Sequence, residues 1–600
     1  MTDKRVKLSI DGMQIEVPAD FTIMQAAKTV GIEIPALCWH NDLREEGNCR
    51  VCVVEVEGQP TYQPSCAYKV ADGMKVKVNS PELLKARKMV LELILSRHNM
   101  DCLNCERNTH CELQTLADKY GMRNNRFENE PEWRAIDNSG VVVRDTSKCI
   151  NCGRCIRACN EVQTAYALDW DGRGHQKIAS TTANKPLADT TCINCGQCIN
   201  VCPTGALMER DDTAQVWEWI NDPEIHTVVQ TAPAIRASVG EACGLMPGYL
   251  SAGKLAGVLK QLGFSKVMDT NFTADLTILE EGTEFLTRVT KAVKDGDKSI
   301  ALPLITSCSP GWIKFMETFE ADFIPNISSC KSPQQMFGAL AKTYYAEKAK
   351  IDPSKIRVIS IMPCTAKKFE CDRPEMCDSG HKDVDVVLTT RELGRMIKLH
   401  GINFDMVKEV KWDDPMGIST GAADIFANTG GVMEAALRTV YELVTGDPIP
   451  TMNFTPVRGF GLDDHGTITA KEAAITIEKT AKGYEFLKGV TVKVAVAHST
   501  GAARRLFDAM RKGEKSFHFI EIMGCPGGCV GGGGQPRPTS WKIKTERAAA
   551  IYKEDEQREL RKSHLSPAVA QIYKEFLGSA NSHKAHELLH THYHERDSIR

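Results

Sequence analysis

CINCGRCIRACN (Cys149–Asn160) and CINCGQCINVCP (Cys192–Pro203) carry one spacing twice, C-x2-C-x2-C-x3-C. A run of this kind holds a [4Fe–4S] cluster on its first three thiolates and lends its fourth to the other run's cluster. Cys149, Cys152, Cys155 and Cys202 are therefore expected to ligate one cluster, and Cys192, Cys195, Cys198 and Cys159 the second. Zinc knuckles need four ligands per site, but neither this cross-over nor the terminal Cys202-Pro203. Residues 138–212 thus read as a two-cluster, ferredoxin-type domain that carries electrons.

Upstream, Val6 to Val17 alternates around Asp11-Gly12, the pattern of a β-hairpin. It leads into Cys38-x10-Cys49-x2-Cys52-x13-Cys66. One cysteine, a gap, a C-x2-C pair and a distant fourth cysteine is the plant-type [2Fe–2S] order, here with a wider gap. Residues 1–80 are expected to form a β-grasp [2Fe–2S] ferredoxin-like domain. Ser80-Pro81 supplies an N-cap and first-turn pair, so an amphipathic helix is predicted through Leu83 to Leu95. That helix delivers His98, followed by Cys102, Cys105 and Cys111. Zinc accepts a Cys3His set, so spacing leaves it open. A lone zinc between two iron–sulfur modules would interrupt electron flow, which favours a His-ligated [4Fe–4S] cluster over residues 81–125.

Six hundred residues exceed one core and suggest about four domains. A charged content of 25% and a net charge of −3 give no reason to expect nucleic acid. The opening MTDKRVKLSIDG has no apolar core or small-residue cleavage site, and no apolar run reaches bilayer length. Twenty-three cysteines in a reducing cytoplasm mean metal ligation rather than disulfides. The chain is expected to be cytoplasmic, without membrane contact.

From about Ile225 the composition shifts to apolar runs alternating with helical periods, the pattern of α/β layers. Four runs are predicted as buried strands ending in Pro/Gly turns: Thr227 to Thr231, Ile300 to Thr306, Ile356 to Ile361 and Phe517 to Met523. Carboxyl ends of strands are where α/β sheets place their sites, so cysteines from three of them are expected in one crevice.

At those strand ends stand TSCSPGW (Thr306–Trp312), MPCTAKKFE (Met362–Glu370) and EIMGCPGGCVGGGGQP (Glu521–Pro536). They resemble the three H-cluster signatures of [FeFe]-hydrogenases, and the upstream cluster order resembles the long bacterial members of that family. The likeness spans essentially the whole chain and lies nearest the catalytic subunits of multi-subunit, NAD(P)-linked enzymes. It implies a two-lobed α/β catalytic domain over residues 225–600 and reversible proton reduction to H2. The H-cluster it implies is a [4Fe–4S] cube joined through one cysteine to a two-iron centre with CO, cyanide and dithiolate ligands. Cys529 matches the bridging thiolate, Cys364 and Cys525 further cube ligands, and Lys367 the lysine that holds a cyanide. Met362, Met523, Pro333, Gln334, Ala232 and Pro233 match residues of the pocket, while Glu281, Glu284 and Ser328 match a proton relay ending at Cys308. The family's first signature has two adjacent cysteines, a relay and a fourth cube ligand. Here Cys308 takes the relay position and Ser309 the other, so Ser309, Cys308 and Cys330 all stand as candidates for the fourth ligand.

The implied complement is one [2Fe–2S], three [4Fe–4S] and one H-cluster. The partners implied are H2 and protons, flavin- and NAD(P)-binding subunits with their own [2Fe–2S] cluster, ferredoxin, and maturation proteins for the two-iron centre. No G-x-G-x-x-G follows a strand and opens a helix, so nicotinamide binding is expected on a partner. A stand-alone ferredoxin-dependent hydrogenase is one competing reading; a non-catalytic or sensory electron-transfer subunit is another. By charge pattern alone Glu280, Glu281 and Glu284 read as a solvated helix face. His583, His586, His590, His592 and His594 read as a solvated helix end, and Cys243, Cys371 and Cys377 as buried or idle thiols.

Overall fold

The computed structural model describes residues 4–127, 134–463 and 466–597. Two compact units divide the chain. The first comprises residues 1–161, 166–187 and 201–208; the second comprises 162–165, 188–200 and 209–600.

In the first unit, Arg5–Ile10 (β1) and Met13–Pro18 (β2) form the expected hairpin, with Ile10 opposite Met13. Asp11 and Gly12 take φ of 48° and 86°, the left-handed pair that matches the twist of a two-residue turn. Helix Ile23–Thr29 (α1) starts with a reciprocal cap between Thr22 and Gln25. Val53–Val56 (β3), Gln63–Pro64 (β4) and Lys75–Lys77 (β5) complete a five-stranded sheet ordered β2-β1-β5-β3-β4, with β5 parallel to β1. This is the β-grasp arrangement. Helix Pro81–Leu95 (α2) begins where Ser80 Oγ accepts from the Leu83 amide.

The second unit is built on two sheets. His226–Thr231 (β6), Lys266–Asp269 (β7), Ile356–Met362 (β9) and Val386–Thr389 (β10) form one, ordered β7-β6-β9-β10 and parallel throughout. The other runs β8-β14-β13-β12-β11, from Leu304–Ile305 (β8), Thr455–Pro456 (β11), Ala470–Thr476 (β12), Thr491–His498 (β13) and Phe519–Met523 (β14). Its first three strands are parallel and its last two pairings antiparallel. Strand β8 is shorter than the run from Ile300 suggests, because Pro303 has no amide hydrogen for the ladder.

Helix Thr270–Val289 (α3) packs against both layers. Phe272 and Leu276 enter the core of the first sheet, and Ala274, Ile278, Phe285 and Val289 that of the second. Both flanks of α3 are therefore inside the protein. Among the described residues no helix is long and apolar enough to cross a membrane.

Candidate functional site

Strand ends deliver the site. Ala232-Pro233 follows β6, Pro363-Cys364 follows β9, and Gly524-Cys525 follows β14. Cys308 lies past β8 at the N-terminus of helix Pro310–Phe319 (α4). These segments wall one crevice of about 710 Å³, part of it open to solvent. Cys308, Cys364, Cys525 and Cys529 open into it with Lys367, Met362, Met523, Gln334, Pro333, Ala232 and Pro233. The sequence-derived pocket residues are thus brought together.

Cys525 is buried and Cys308, Cys364 and Cys529 are half-buried; desolvation holds each thiol above the ordinary range, and Cys529 is pushed up to about 12, with Cys364 adding to the rise and Lys367 opposing it. Such groups favour deprotonation only with a cation at hand, as metal ligands do. Lys367 Nζ donates to the Cys308 carbonyl at 3.2 Å and to Glu370 Oε2 at 2.9 Å. Ser332 and Gln334 donate to the same carboxylate oxygen, which fixes the counter-ion. Gln334 Oε1 is buried without a hydrogen-bond partner.

The loop bearing Cys525 and Cys529 exists only with glycine. Gly528 sits at φ 90°, ψ −156°, where a Cβ would lie 2.6 Å from the Thr429 amide nitrogen. At Gly532 a Cβ would collide with the Pro363 carbonyl. Backbone packed this closely leaves the cavity to a bulky inorganic group, and the donor set suits iron and sulfide. Ser309 also lines the cavity, its Oγ accepting from the Gly524 amide at 3.0 Å. Cys330 does not line it; it is buried on the far side of Ser307, whose Oγ donates to the Cys330 carbonyl at 2.6 Å.

Glutamates 280, 281 and 284 are not a solvated face. Glu280 and Glu281 are buried and Glu284 is half-buried, because α3 is covered on both sides. Burial, with the neighbouring Glu284 carboxylate, raises the Glu281 carboxyl to about 8, and Ser328 hydrogen-bonds it. Ser328 Oγ in turn donates to Glu284 Oε2 at 2.8 Å, and Arg288 holds Glu284 Oε1 at 2.7 Å. Burial holds the Cys308 thiol well above its ordinary range, so it stays protonated.

The histidine tail also departs from expectation. His583 is exposed at the start of helix His583–Leu589 (α5), but His590 is buried against Ser329 and Glu280 because backbone bonds tie this segment to residues 329–331. Of the unassigned thiols, Cys371 is buried, Cys243 half-buried and Cys377 exposed.

The electron-transfer sites are fitted for clusters. Cys38, Cys49, Cys52 and Cys66 converge, Cys38 hydrogen-bonded to Cys49 and Cys66, and Cys66 to Cys52. His98 is held neutral, down to about 4, by burial and by Lys148, and its Nδ1 is buried without a partner, as a ligating nitrogen is before iron binds. Cys102, Cys105 and Cys111 follow in the same unit. Cys149, Cys152, Cys155 and Cys202 line a second cavity in the first unit. Cys192, Cys195 and Cys198 lie in the second unit and Cys159 in the first.

The Cys192–Cys198 loop touches the catalytic cavity's wall. Thr365 Oγ1, next to Cys364, donates to the Asn194 carbonyl at 2.6 Å. Gln197 Nε2 donates to the Gly531 carbonyl at 2.9 Å and Asn200 Nδ2 to that of Gly532 at 3.0 Å. A Cβ on Gly533 would strike the Cys195 carbonyl. Sequence reasoning passed over these amides, although Gln197 and Asn200 interleave with the cysteines. Phe426, Thr270 and Ala274 also line the cavity, and no local motif marks them.

Comparison with known proteins agrees. Residues 225–533 match the iron-only hydrogenase large subunit, C-terminal domain, and 542–596 the iron hydrogenase small subunit. Upstream, residues 3–81 match a 2Fe-2S iron-sulfur cluster binding domain, 87–126 the NADH-ubiquinone oxidoreductase-G iron-sulfur binding region, and 148–206 a 4Fe-4S dicluster domain. The chain is 46% identical to the NADP-reducing hydrogenase subunit HndD of Solidesulfovibrio fructosivorans over 99% of each chain. It is 38% identical to iron hydrogenase 1 of Clostridium pasteurianum, over 97% of this chain and 99% of that one. A variant of [FeFe]-hydrogenase HydA1 from Chlamydomonas reinhardtii superposes with a TM-score of 0.58 at 43% identity, covering 65% of this chain and 100% of that one. The protein described here belongs to the iron-only, or [FeFe], hydrogenases. It is a catalytic hydrogenase subunit with iron–sulfur domains ahead of an H-cluster domain.

Proposed function

We propose that this chain interconverts protons and H2 at an H-cluster held by Cys364, Cys525 and Cys529, and exchanges the electrons with NADP through separate flavin-containing subunits. The observation that carries the reading is the convergence of those three thiols with Lys367, Met362 and Met523 in one cavity, backed by a carboxyl relay behind Cys308. When bound, the cluster supplies the metal centre at which two electrons and two protons combine.

The chain's own residues do the rest. Lys367 offers N–H donors and a positive charge to an anionic iron ligand, a compact ammonium fixed by Glu370. Met362 and Met523 present soft, apolar sulfur that excludes water. Ala232, Pro233, Pro333 and Gln334 shape the pocket around the two-iron centre. Glu281, protonated at neutral pH, takes a proton from Cys308 as it gives its own to Ser328, which in turn gives one to Glu284, and the reverse order delivers protons inward. Each member both accepts and donates, as general acid–base groups must. Ser309 takes the fourth cube position, since it lines the cavity, Cys330 does not, and Cys308 serves the relay.

The remaining complement is one [2Fe–2S] cluster on Cys38, Cys49, Cys52 and Cys66, a [4Fe–4S] cluster on His98, Cys102, Cys105 and Cys111, and two more on the paired runs. HndD's name makes it a subunit of an NADP-reducing hydrogenase, which supports partner subunits here as well. Maturation proteins supply the two-iron centre. The deciding measurement is the infrared spectrum of matured protein: CO and cyanide stretches are expected, and must vanish in Cys529→Ala. Their absence from active wild-type protein would overturn the assignment.

A further inference from the structure

We propose that Glu284, Cys330 and His590 form a site for one borderline divalent cation, for which zinc is the fitting probe, and that filling it arrests proton movement. The second part rests on the relay reading above; the first does not. The three side chains come from distant segments, yet their ligand atoms all lie within 4.8 Å of one another. The backbone sets this up. Cys330 and His590 face each other in an antiparallel bridge, flanked by Lys331 N to Leu589 O at 2.8 Å and Thr591 N to Ser329 O at 2.7 Å. Bonds from both flanking residues define a non-hydrogen-bonded pair, the kind whose side chains stand closest. Glu284 reaches the same point from α3, and the Ser329 amide donates to its Oε2 at 3.2 Å.

The donor set is one nitrogen, one sulfur and one oxygen, which suits tetrahedral zinc with a fourth position left over. Ser329 Oγ lies 2.8 Å from His590 Nδ1. A hydroxyl both donates and accepts, so it serves as the outer partner that orients a metal-bound imidazole through Nε2. Nε2 lies 3.3 Å from Glu280 Oε2, and Glu280 is itself anchored by Tyr573 OH at 2.6 Å and the Asn581 amide at 2.7 Å. The Glu280 and Glu284 carboxylates of α3 both lie here, and Arg288 pairs with only one of them, so a further cation is electrostatically favoured. A carboxylate bound to a metal cannot take the proton that Ser328 would pass to it.

The test uses cluster-loaded full-length protein given zinc chloride and then dialysed. The expected result is one retained zinc per chain whose K-edge absorption fine structure shows a single sulfur at about 2.3 Å with nitrogen and oxygen neighbours. Cys330→Ala removes the sulfur shell, and both it and His590→Gln weaken zinc retention at least about tenfold, some 1.4 kcal/mol. Zinc surrounded only by sulfur, or retained equally in both variants, overturns the site. Zinc also lowers wild-type H2 turnover, a chelator restores it, and Cys330→Ala shows a smaller drop. Zinc bound through Cys330 and His590 without change in turnover overturns the arrest, and with it the place of Glu284 in the relay, while the binding data still establish the site.

Discussion

The ammonium of Lys367 donates to the backbone carbonyl of Cys308 at 3.2 Å, tying the turn after β9 to the turn after β8 across the catalytic cavity. Glu370 holds the other side of the same ammonium, so one side chain is both a strut between lobes of the cavity and a donor facing its interior. Lys367→Ala is expected to keep the cube thiols in place and lose the two-iron centre. H2 turnover should be lost with it. Infrared spectra check it: retained CO and cyanide bands at wild-type strength would contradict this role.

Cys308 and Ser309 separate by complementary variants. Cys308→Ala should keep the infrared bands and lose turnover by about 10²–10⁴, the usual range for one acid–base group. Ser309→Ala should instead perturb the cube, seen in its electron paramagnetic resonance signal. An unaltered cube in Ser309→Ala removes that serine from the ligand set.

Glu281 makes folding pH-dependent. Its carboxyl is raised from 4.5 to about 8 in the folded protein, so folding takes up a proton between those values. Its contribution is fully present below the unfolded pKa and is lost as pH rises through the folded one. Glu281→Gln should flatten the decline in unfolding midpoint between about pH 4.5 and 8. Equal slopes for both proteins would show that the carboxyl is not held protonated.

Coupling to NADP is best probed by a point change rather than truncation. Arg157 donates to the Cys38 carbonyl at 2.5 Å, and Cys152 packs in the core of the N-terminal sheet, so deleting residues 1–80 would unfold more than one cluster site. Cys66→Ala should abolish nucleotide-coupled turnover in the assembled complex while sparing H2 evolution from a small artificial reductant. Full coupling without the [2Fe–2S] signal would place electron entry elsewhere.

Gly528→Ala should displace Cys529. The substitution forces a side chain into left-handed backbone beside the Thr429 amide, a strain on the order of 1–3 kcal/mol. The expected readout is lower iron content after maturation and a lowered unfolding midpoint; normal values for both would show that the loop relaxes freely.

Short-range features of this chain were readable from sequence. The Asp11-Gly12 turn, the Ser80 cap and the thiols at strand ends depend on a few adjacent residues. Burial of Glu281 was hidden, because α3 carries an ordinary exposed-helix charge pattern and only its position between two cores removes it from water. His590 was misjudged for a similar reason: its environment is made by a bridge to Cys330, far away in sequence. Phe426 enters the cavity from a segment with no chemical signature at all.

The contact between Cys195 and Gly533 bears on speed rather than on binding. Tunnelling falls off exponentially with the gap an electron crosses, and through-bond routes carry it better than empty space. Between the Cys192–Cys198 loop and Cys364 the connection is one hydrogen bond, from Thr365 to the Asn194 carbonyl, and beside it glycine lets two backbones meet with nothing between. Every methyl group added at Gly196 or Gly533 would widen that gap. The lack of side chains at these positions thus sets a floor on how quickly charge reaches the site, whatever the driving force behind it.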